Sequence, residues 1–327
     1  MERETSGPCD RVRCAGLAAD VGGGTERDMD KRAIVEAVEA YKQGASPADA
    51  ARLDFFEALF RLQQQRAELV GKGTQPPLLD SGRATEDYRS GTVLLGDAPA
   101  SVDAGEFAET CRLVAAHLAE NAGLDDAVAA ALAAHDWATF VEKLDLAQAG
   151  SNPPQFVEDC LQNFDGFGIG SALPASIVMM VVSFALRAHI QEVAADLFAL
   201  VDDEAKDGPT AVHPVSCPVC GSPAALSHVA MASGLDGRAR RQYCSMCGTA
   251  WPYERMRCGV CGSENPTKLH YFNVEGDESH RLQNCDECGQ YQRVFFEESL
   301  EIPVCLEVED VVMAKLDHIA LDPRFRS

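Results

Sequence analysis

Positive charge is what this chain has least of. Twenty-eight Lys and Arg face 51 Asp and Glu across 327 residues, a formal net charge of −23. Binding to nucleic acid draws most of its affinity from neutralising phosphates with basic side chains, so this balance argues against DNA, RNA or an anionic lipid surface as a partner. An apolar leader is also missing: Met1 to Met29 are polar and charged, with no hydrophobic run of signal-peptide length. The uncharged segment Gly166 to Leu186 is broken by Gly168, Gly170, Ser171, Pro174, Ser176 and Ser183, and its apolar part, Ile177 to Leu186, is too short to cross a bilayer. It reads as a buried core helix that continues amphipathically through Glu192 and Asp196. The expectation is a cytoplasmic protein without membrane insertion. In that reducing compartment, 13 cysteines point to metal ligands rather than disulfides. No combination of nucleophile, base and phosphate-binding loop stands out, so no enzymatic activity is expected.

What the chain does contain is globular in composition, 46% hydrophobic and 24% charged, and long enough for two or three domains. Residues 1–28 are polar, with Gly22, Gly23 and Gly24 in an aperiodic stretch. They read as disordered, with Cys9 and Cys14 as incidental thiols. From residue 29 to 205 the pattern is helical. Ser46 and Pro47 start a helix whose stripe is Leu53, Phe56, Leu59, Phe60 and Leu62. Asp103 and Glu106 start another, carrying Phe107, Cys111, Val114 and Leu118 and closed by Gly123. Ala127 to Ala147 forms a third run, and Ala175 to Leu200 is the most buried. This predicts an all-α domain of about five to seven helices. His117, His135 and His189 have no second ligand at helical spacing and read as structural histidines; Cys111 and Cys160 read as core fillers. Residues 206–214 form a linker with Gly208, Pro209 and Pro214 as breakers.

Beyond the linker eight cysteines form four Cys-x-x-Cys pairs: Cys217 and Cys220, Cys244 and Cys247, Cys258 and Cys261, Cys285 and Cys288. The last four repeat the first four at a constant offset of 41, and Val219, Gly221, Ser222, Asp236, Arg240, Gln242 and Gly248 recur as Val260, Gly262, Ser263, Asp277, Arg281, Gln283 and Gly289. This is an internal duplication. Two residues between thiols let one tight turn present two sulfurs to an ion, and a second turn completes a tetrahedron. The glycine after each second cysteine lets the backbone turn back at positive φ with its amides towards the sulfurs. A unit of about 40 residues buries too little apolar surface to fold unaided, and a bound ion supplies the missing free energy. Sharing of ions within each unit fits a duplication; cross-bracing of 217/220 with 258/261 stays open. Zinc and a single iron both suit four thiolates.

Residues 213–300 hold 8 basic and 10 acidic side chains against 20 and 41 elsewhere, so this is the least acidic region. Arg238, Arg240 and Arg241 are expected on a solvated hairpin tip. Val229 to Met231 and Leu269 to Phe272 suit strands, and the ten residues between Cys247 and Cys258 make the units neighbours. Trp251 with Arg255 serves either their packing or a partner. His213, His228, His270 and His280 are surplus to four-sulfur sites and read as surface histidines. The tail predicts a helix from Val308 to Leu321 with Val311, Val312, Leu316 and Ile319 inward, and Cys305 has no spacing partner.

Five segments carry a resemblance to a known family: Cys-Pro-Val-Cys-Gly-Ser-Pro at 217–223, Cys-Ser-Met-Cys-Gly-Thr-Ala-Trp at 244–251, Arg-Met-Arg-Cys-Gly-Val-Cys-Gly at 255–262, Cys-Asp-Glu-Cys-Gly-Gln-Tyr at 285–291 and Glu-Asp-Val-Val-Met-Ala-Lys-Leu-Asp at 309–317. Together they resemble the formate dehydrogenase accessory protein FdhE family. The chain departs at Gln292-Arg293, where the family tends to have Leu-Lys. The resemblance implies a cytoplasmic accessory factor for assembly of respiratory, molybdenum-containing formate dehydrogenases. Its implied partner is their catalytic subunit, and its implied knuckles are iron-capable and similar to those of rubredoxin. It implies no catalytic residue and leaves a homo-oligomer open.

The expected architecture is therefore multidomain. A disordered stretch (1–28) precedes an all-α domain (29–205), then two tandem rubredoxin-like or zinc-ribbon-like four-cysteine units (213–256 and 257–300), then a linker strand and C-terminal helix (301–327). Iron redox or thiol exchange is the alternative function, and a nucleic-acid-binding ribbon is disfavoured by charge.

Overall fold

A computed structural model describes residues 26–71, 79–169, 173–208, 211, 213–231, 238–297 and 302–321. Most of the stretch expected to be disordered, with Cys9 and Cys14, lies outside the described residues. Within that stretch, helix α1 (Glu26–Lys42) begins at Glu26.

The helical half runs α2 (Pro47–Gly71), α3 (Ser81–Ser90), α4 (Leu94–Asp97), α5 (Ala104–Asn121), α6 (Asp126–Ala134), α7 (Trp137–Val141), α8 (Leu146–Ser151), α9 (Pro153–Gln162), α10 (Ala175–Leu200) and α11 (Asp203–Asp207). More and shorter helices form than the sequence predicts. The run expected over Ala127 to Ala147 is cut twice, because the carboxylates of Asp136 and Asp145 accept from the amides of Thr139 (3.1 Å) and Gln148 (3.0 Å) and start new helices. Short acidic side chains compete with the helix for backbone donors and so mark boundaries. The start at Asp103 is as expected: its carboxylate accepts from Glu106 N at 2.9 Å.

Helix α10 is the axis of this half. Val178, Val181, Val182, Ala185, Leu186, Ile190, Ala194 and Leu197 are buried, and α2, α3, α5 and α9 pack around it. It is long and apolar enough to cross a membrane, but 67% of its most apolar window is buried inside the protein, as befits a core helix. Its one histidine, His189, lies 2.9 Å from Thr110 Oγ1. Burial, and then the nearby Arg66 guanidinium, bring His189 down to about 4, so it sits neutral in the core.

Strands β1 (Leu226–Met231), β2 (Arg238–Tyr243), β3 (Ala250–Tyr253), β4 (Leu269–Asn273), β5 (His280–Cys285) and β6 (Tyr291–Phe296) form one sheet in the order β3-β2-β1-β6-β5-β4. Each duplicated unit is an antiparallel triplet, and the triplets join through a parallel pairing of β1 with β6, His228 opposite Phe295. The offset of 41 matches β1 to β4, β2 to β5 and β3 to β6, so the copies stack head to tail. Arg240, expected at a solvated tip, is 2% exposed at this seam. Its guanidinium donates to Ser227 Oγ (3.0 Å), Gln283 Oε1 (3.2 Å), Gln292 Oε1 (2.7 Å) and Arg257 O (2.9 Å), and Gln292 donates on to Gln242. A buried guanidinium with every donor engaged ties the two sheet halves together, beside the apolar cluster of Leu226, Tyr243, Leu282 and Phe295 that both halves share.

Helix α12 (Leu306–Leu321) closes the fold, touching α1 and α2 on one side and β5 and β6 on the other. Val308, Val311, Val312, Met313, Leu316 and Ala320 are buried, whereas Ile319, expected to point inward, faces solvent. His280, expected at the surface, is buried in this junction. Its Nε2 lies 2.9 Å from Glu309 Oε2 and its Nδ1 2.8 Å from Asp277 Oδ1, and Tyr41 of α1 donates to Glu309 at 2.7 Å.

Candidate metal centres

The four Cys-x-x-Cys turns share one local geometry. In each, the amide of the first cysteine donates to the carbonyl five residues on, and the amide of the following glycine donates back to the first cysteine. The pairs are Cys217 N to Ser222 O, Cys244 N to Thr249 O, Cys258 N to Ser263 O and Cys285 N to Gln290 O, at 2.8–3.0 Å. Gly221, Gly248, Gly262 and Gly289 have φ of 79°, 81°, 76° and 68°, a region that a side chain resists. In the turn at Cys258 the amides of Val260 and Cys261 point at its sulfur, at 3.4 and 3.5 Å.

These turns come together within each unit. Cys217, Cys220, Cys244 and Cys247 form one group and Cys258, Cys261, Cys285 and Cys288 the other, with all sulfurs of a group within 4.8 Å of one another. The cross-braced arrangement left open by the sequence is not the one formed. Sulfurs placed tetrahedrally about 2.3 Å from an ion lie about 3.8 Å apart. Here Cys217 to Cys247 and Cys220 to Cys244 are 3.5 Å, Cys258 to Cys288 is 4.0 Å and Cys261 to Cys285 is 3.9 Å. The donor set and spacing therefore fit a four-coordinate thiophilic cation at each group, and each group can hold one ion. Burial pushes the Cys217 thiol well above its ordinary value, and Cys288 is pushed up to about 12, again by burial first. Cys247 goes the other way: although it is buried, hydrogen bonds from Cys217, Cys220, Cys244 and Thr249 hold it well below its ordinary value, so it is the thiol of the first group poised to ionise.

An arginine backs one turn of each group. Arg187 of α10 donates to Ser245 O (2.9 Å) between Cys244 and Cys247 and to Tyr243 Oη (3.0 Å), and pairs with Glu307 (3.0 Å). Arg257 donates to Gly262 O at 3.1 Å. The first group is also built into the helical core. Cys217, Val219, Cys220, Cys244, Cys247 and Trp251 belong to the same apolar cluster as α5 and α10, and the amides of Leu94 and Leu95 donate to Pro218 O and Val219 O at 3.0 Å. Trp251, weighed as a packing or partner residue, is fully buried, its Nε1 donating to Pro214 O (2.9 Å), while Arg255 is exposed. Of the surplus histidines, only His270 is exposed, beside Asp286. Sequence reasoning missed Arg187 and the structural roles of Arg240 and Arg257, because the acceptors that bury an arginine lie in distant segments and leave no spacing signal.

A helical body fused to a sheet thus carries two tandem four-thiol groups, each of which could hold a metal ion. Residues 216–255 match the family model described as FdhE, central domain. Proteins named "Protein FdhE" from Escherichia coli O1:K1 and from Shigella boydii serotype 18 are each 32% identical over 102 residues, 31% of this chain and 31% of theirs. The match thus spans about a third of the length of these curated relatives. The crystal structure of the FdhE protein from Pseudomonas aeruginosa shares the fold, with a TM-score of 0.52 over 91% of this chain and 92% of that one at 20% identity. The resemblance to FdhE read from the cysteine motifs stands, in sequence over residues 216–255 and in fold over 91% of the chain.

Proposed function

We propose that this chain is an accessory protein for the assembly of a respiratory, molybdenum-containing formate dehydrogenase, working in the cytoplasm by binding the enzyme's catalytic subunit. The eight cysteines are ligands of two tetrahedral ions, iron or zinc, one in each unit (213–256 and 257–300). The helical domain (29–205) and the tail (301–327) present the sheet.

One observation carries the reading: each group offers four protein sulfurs to one ion. An ion so enclosed keeps no open position for a substrate, so its contribution is to shape. Metal binding of this kind contributes on the order of 10 kcal/mol to folding. Family likeness supplies the partner, and the formal charge of −23 favours a basic face on it. The chain has no substrate of its own.

The test is co-purification of the tagged full-length chain with the catalytic subunit co-expressed in the same cells, together with formate dehydrogenase activity in a strain lacking the chain. The expected result is stable capture and loss of activity. Full activity without the chain, or no capture, overturns the proposal.

A further inference from the structure

The two thiol groups come from one duplicated sequence, yet their surroundings differ. We infer that they are functionally unequal: the first is a sealed structural centre, and the second is a solvent-reachable centre that exchanges a soft divalent cation with solutes. This rests on the reading of the eight cysteines as ligands.

All four thiols of the first group are buried. Pro218 O and Val219 O are taken up by the amides of α4, and a Cβ on Gly221 would meet Val93 at 3.4 Å and Pro154 at 3.8 Å. Arg187 covers the opposite turn through Ser245 O. Reaching any of these buried sulfurs requires the packing around them to open locally.

At the second group Cys261 is exposed and Cys288 half-buried. Its neighbour Val260 is 43% exposed, and a Cβ on Gly289 would meet nothing within 4 Å. Glu264, Asp286 and Glu287 are exposed beside these turns and give the opening an acidic rim. The ligand type and the turn are alike in both groups, and the inference rests on their difference in access. In such an exchange Cys261 would be the ligand that an incoming donor replaces first, with no electron transferred. An incoming donor atom reaches this group without any opening of the fold.

The full-length chain, purified with zinc, is mixed with excess 4-(2-pyridylazo)resorcinol and zinc release is followed by absorbance. In parallel, brief iodoacetamide labelling is read by mass spectrometry. The expected result is two zinc ions per chain leaving in two phases, one at least about tenfold faster than the other. Cys261 and Cys288 should be labelled ahead of Cys217, Cys220, Cys244 and Cys247. Cys261→Ser should abolish the fast phase and leave the slow rate unchanged. Two ions leaving in a single phase, or the first group labelled first, overturns the inference. A chain that takes up no zinc overturns instead the assignment of the eight cysteines as ligands, and the inference falls with it.

Discussion

Alkaline pH should loosen the junction of α12 with the sheet, and the extent follows from one histidine. Burial disfavours the charged form of His280, but its hydrogen bonds to the carboxylates of Asp277 and Glu309 outweigh that and push it up to about 9. Burial, and then the Glu309 carboxylate, hold the Tyr41 hydroxyl well above its ordinary range, so the tyrosine keeps its proton throughout. A histidine whose folded pKa exceeds its unfolded value of about 6.5 stabilises the fold fully below that pH and loses this contribution as the pH rises to about 9. At about 1.4 kcal/mol per pH unit, the interval is worth about 3 kcal/mol. The perturbation is His280→Gln, and the assay is urea denaturation of both proteins at about pH 6, 7.5 and 9.5. Thiol titration is common to both and cancels in the difference. The wild-type advantage should be largest at the acid end and shrink by about 3 kcal/mol at the alkaline end. A difference that stays flat within about 0.5 kcal/mol refutes the argument that a charged histidine locks this junction.

Arg187→Met should cost about 3 kcal/mol in chemical denaturation, because it leaves Tyr243, Ser245 O and Glu307 without their shared donor; a loss under about 1 kcal/mol counts against that role. Gly150→Ala should destabilise by about 1–3 kcal/mol, since its Cβ would lie 2.0 Å from Ala100 O, whereas Gly96→Ala, with nothing within 4 Å, should shift the melting temperature little or upward. Asp103→Ala should lower stability by about 1 kcal/mol through loss of the cap on α5, visible as faster amide exchange in its first turn.

The thiol groups were legible because metal ligation fixes residue type and spacing together, and the offset of 41 then tied them into units. Helix α10 was equally plain, since the apolar run Ile177 to Leu186 continues with helical amphipathicity to Leu200, and the helix that forms has the expected bounds, Ala175–Leu200. The shorter helices were harder. Asp136 and Asp145 cap locally, and inside an Ala-rich run an aspartate looks like a surface residue until its carboxylate finds an amide. The joining of the units was not legible at all: two neighbours were expected, but the parallel pairing of β1 with β6 depends on residues about 67 positions apart in the chain, which no local pattern encodes. Arg240 and His280 misled for one reason. Charged side chains read as solvated unless their partners are known, and those partners, Gln283, Gln292 and Glu309, come from distant segments.

Arg240 and Arg281 descend from one position of the repeated unit, yet they have had opposite fates. Arg240 is enclosed between the triplets; Arg281, half-buried on the far copy, donates to Glu278 of its own turn. A two-fold arrangement would have placed both in the same environment. Stacking by translation gives every ancestral residue an inner and an outer version, so the halves are free to drift apart and can no longer be interchanged. A chimera carrying two copies of the first half would put a tryptophan, the counterpart of Trp251, where Gln292 stands and leave the inner arginine short of that acceptor.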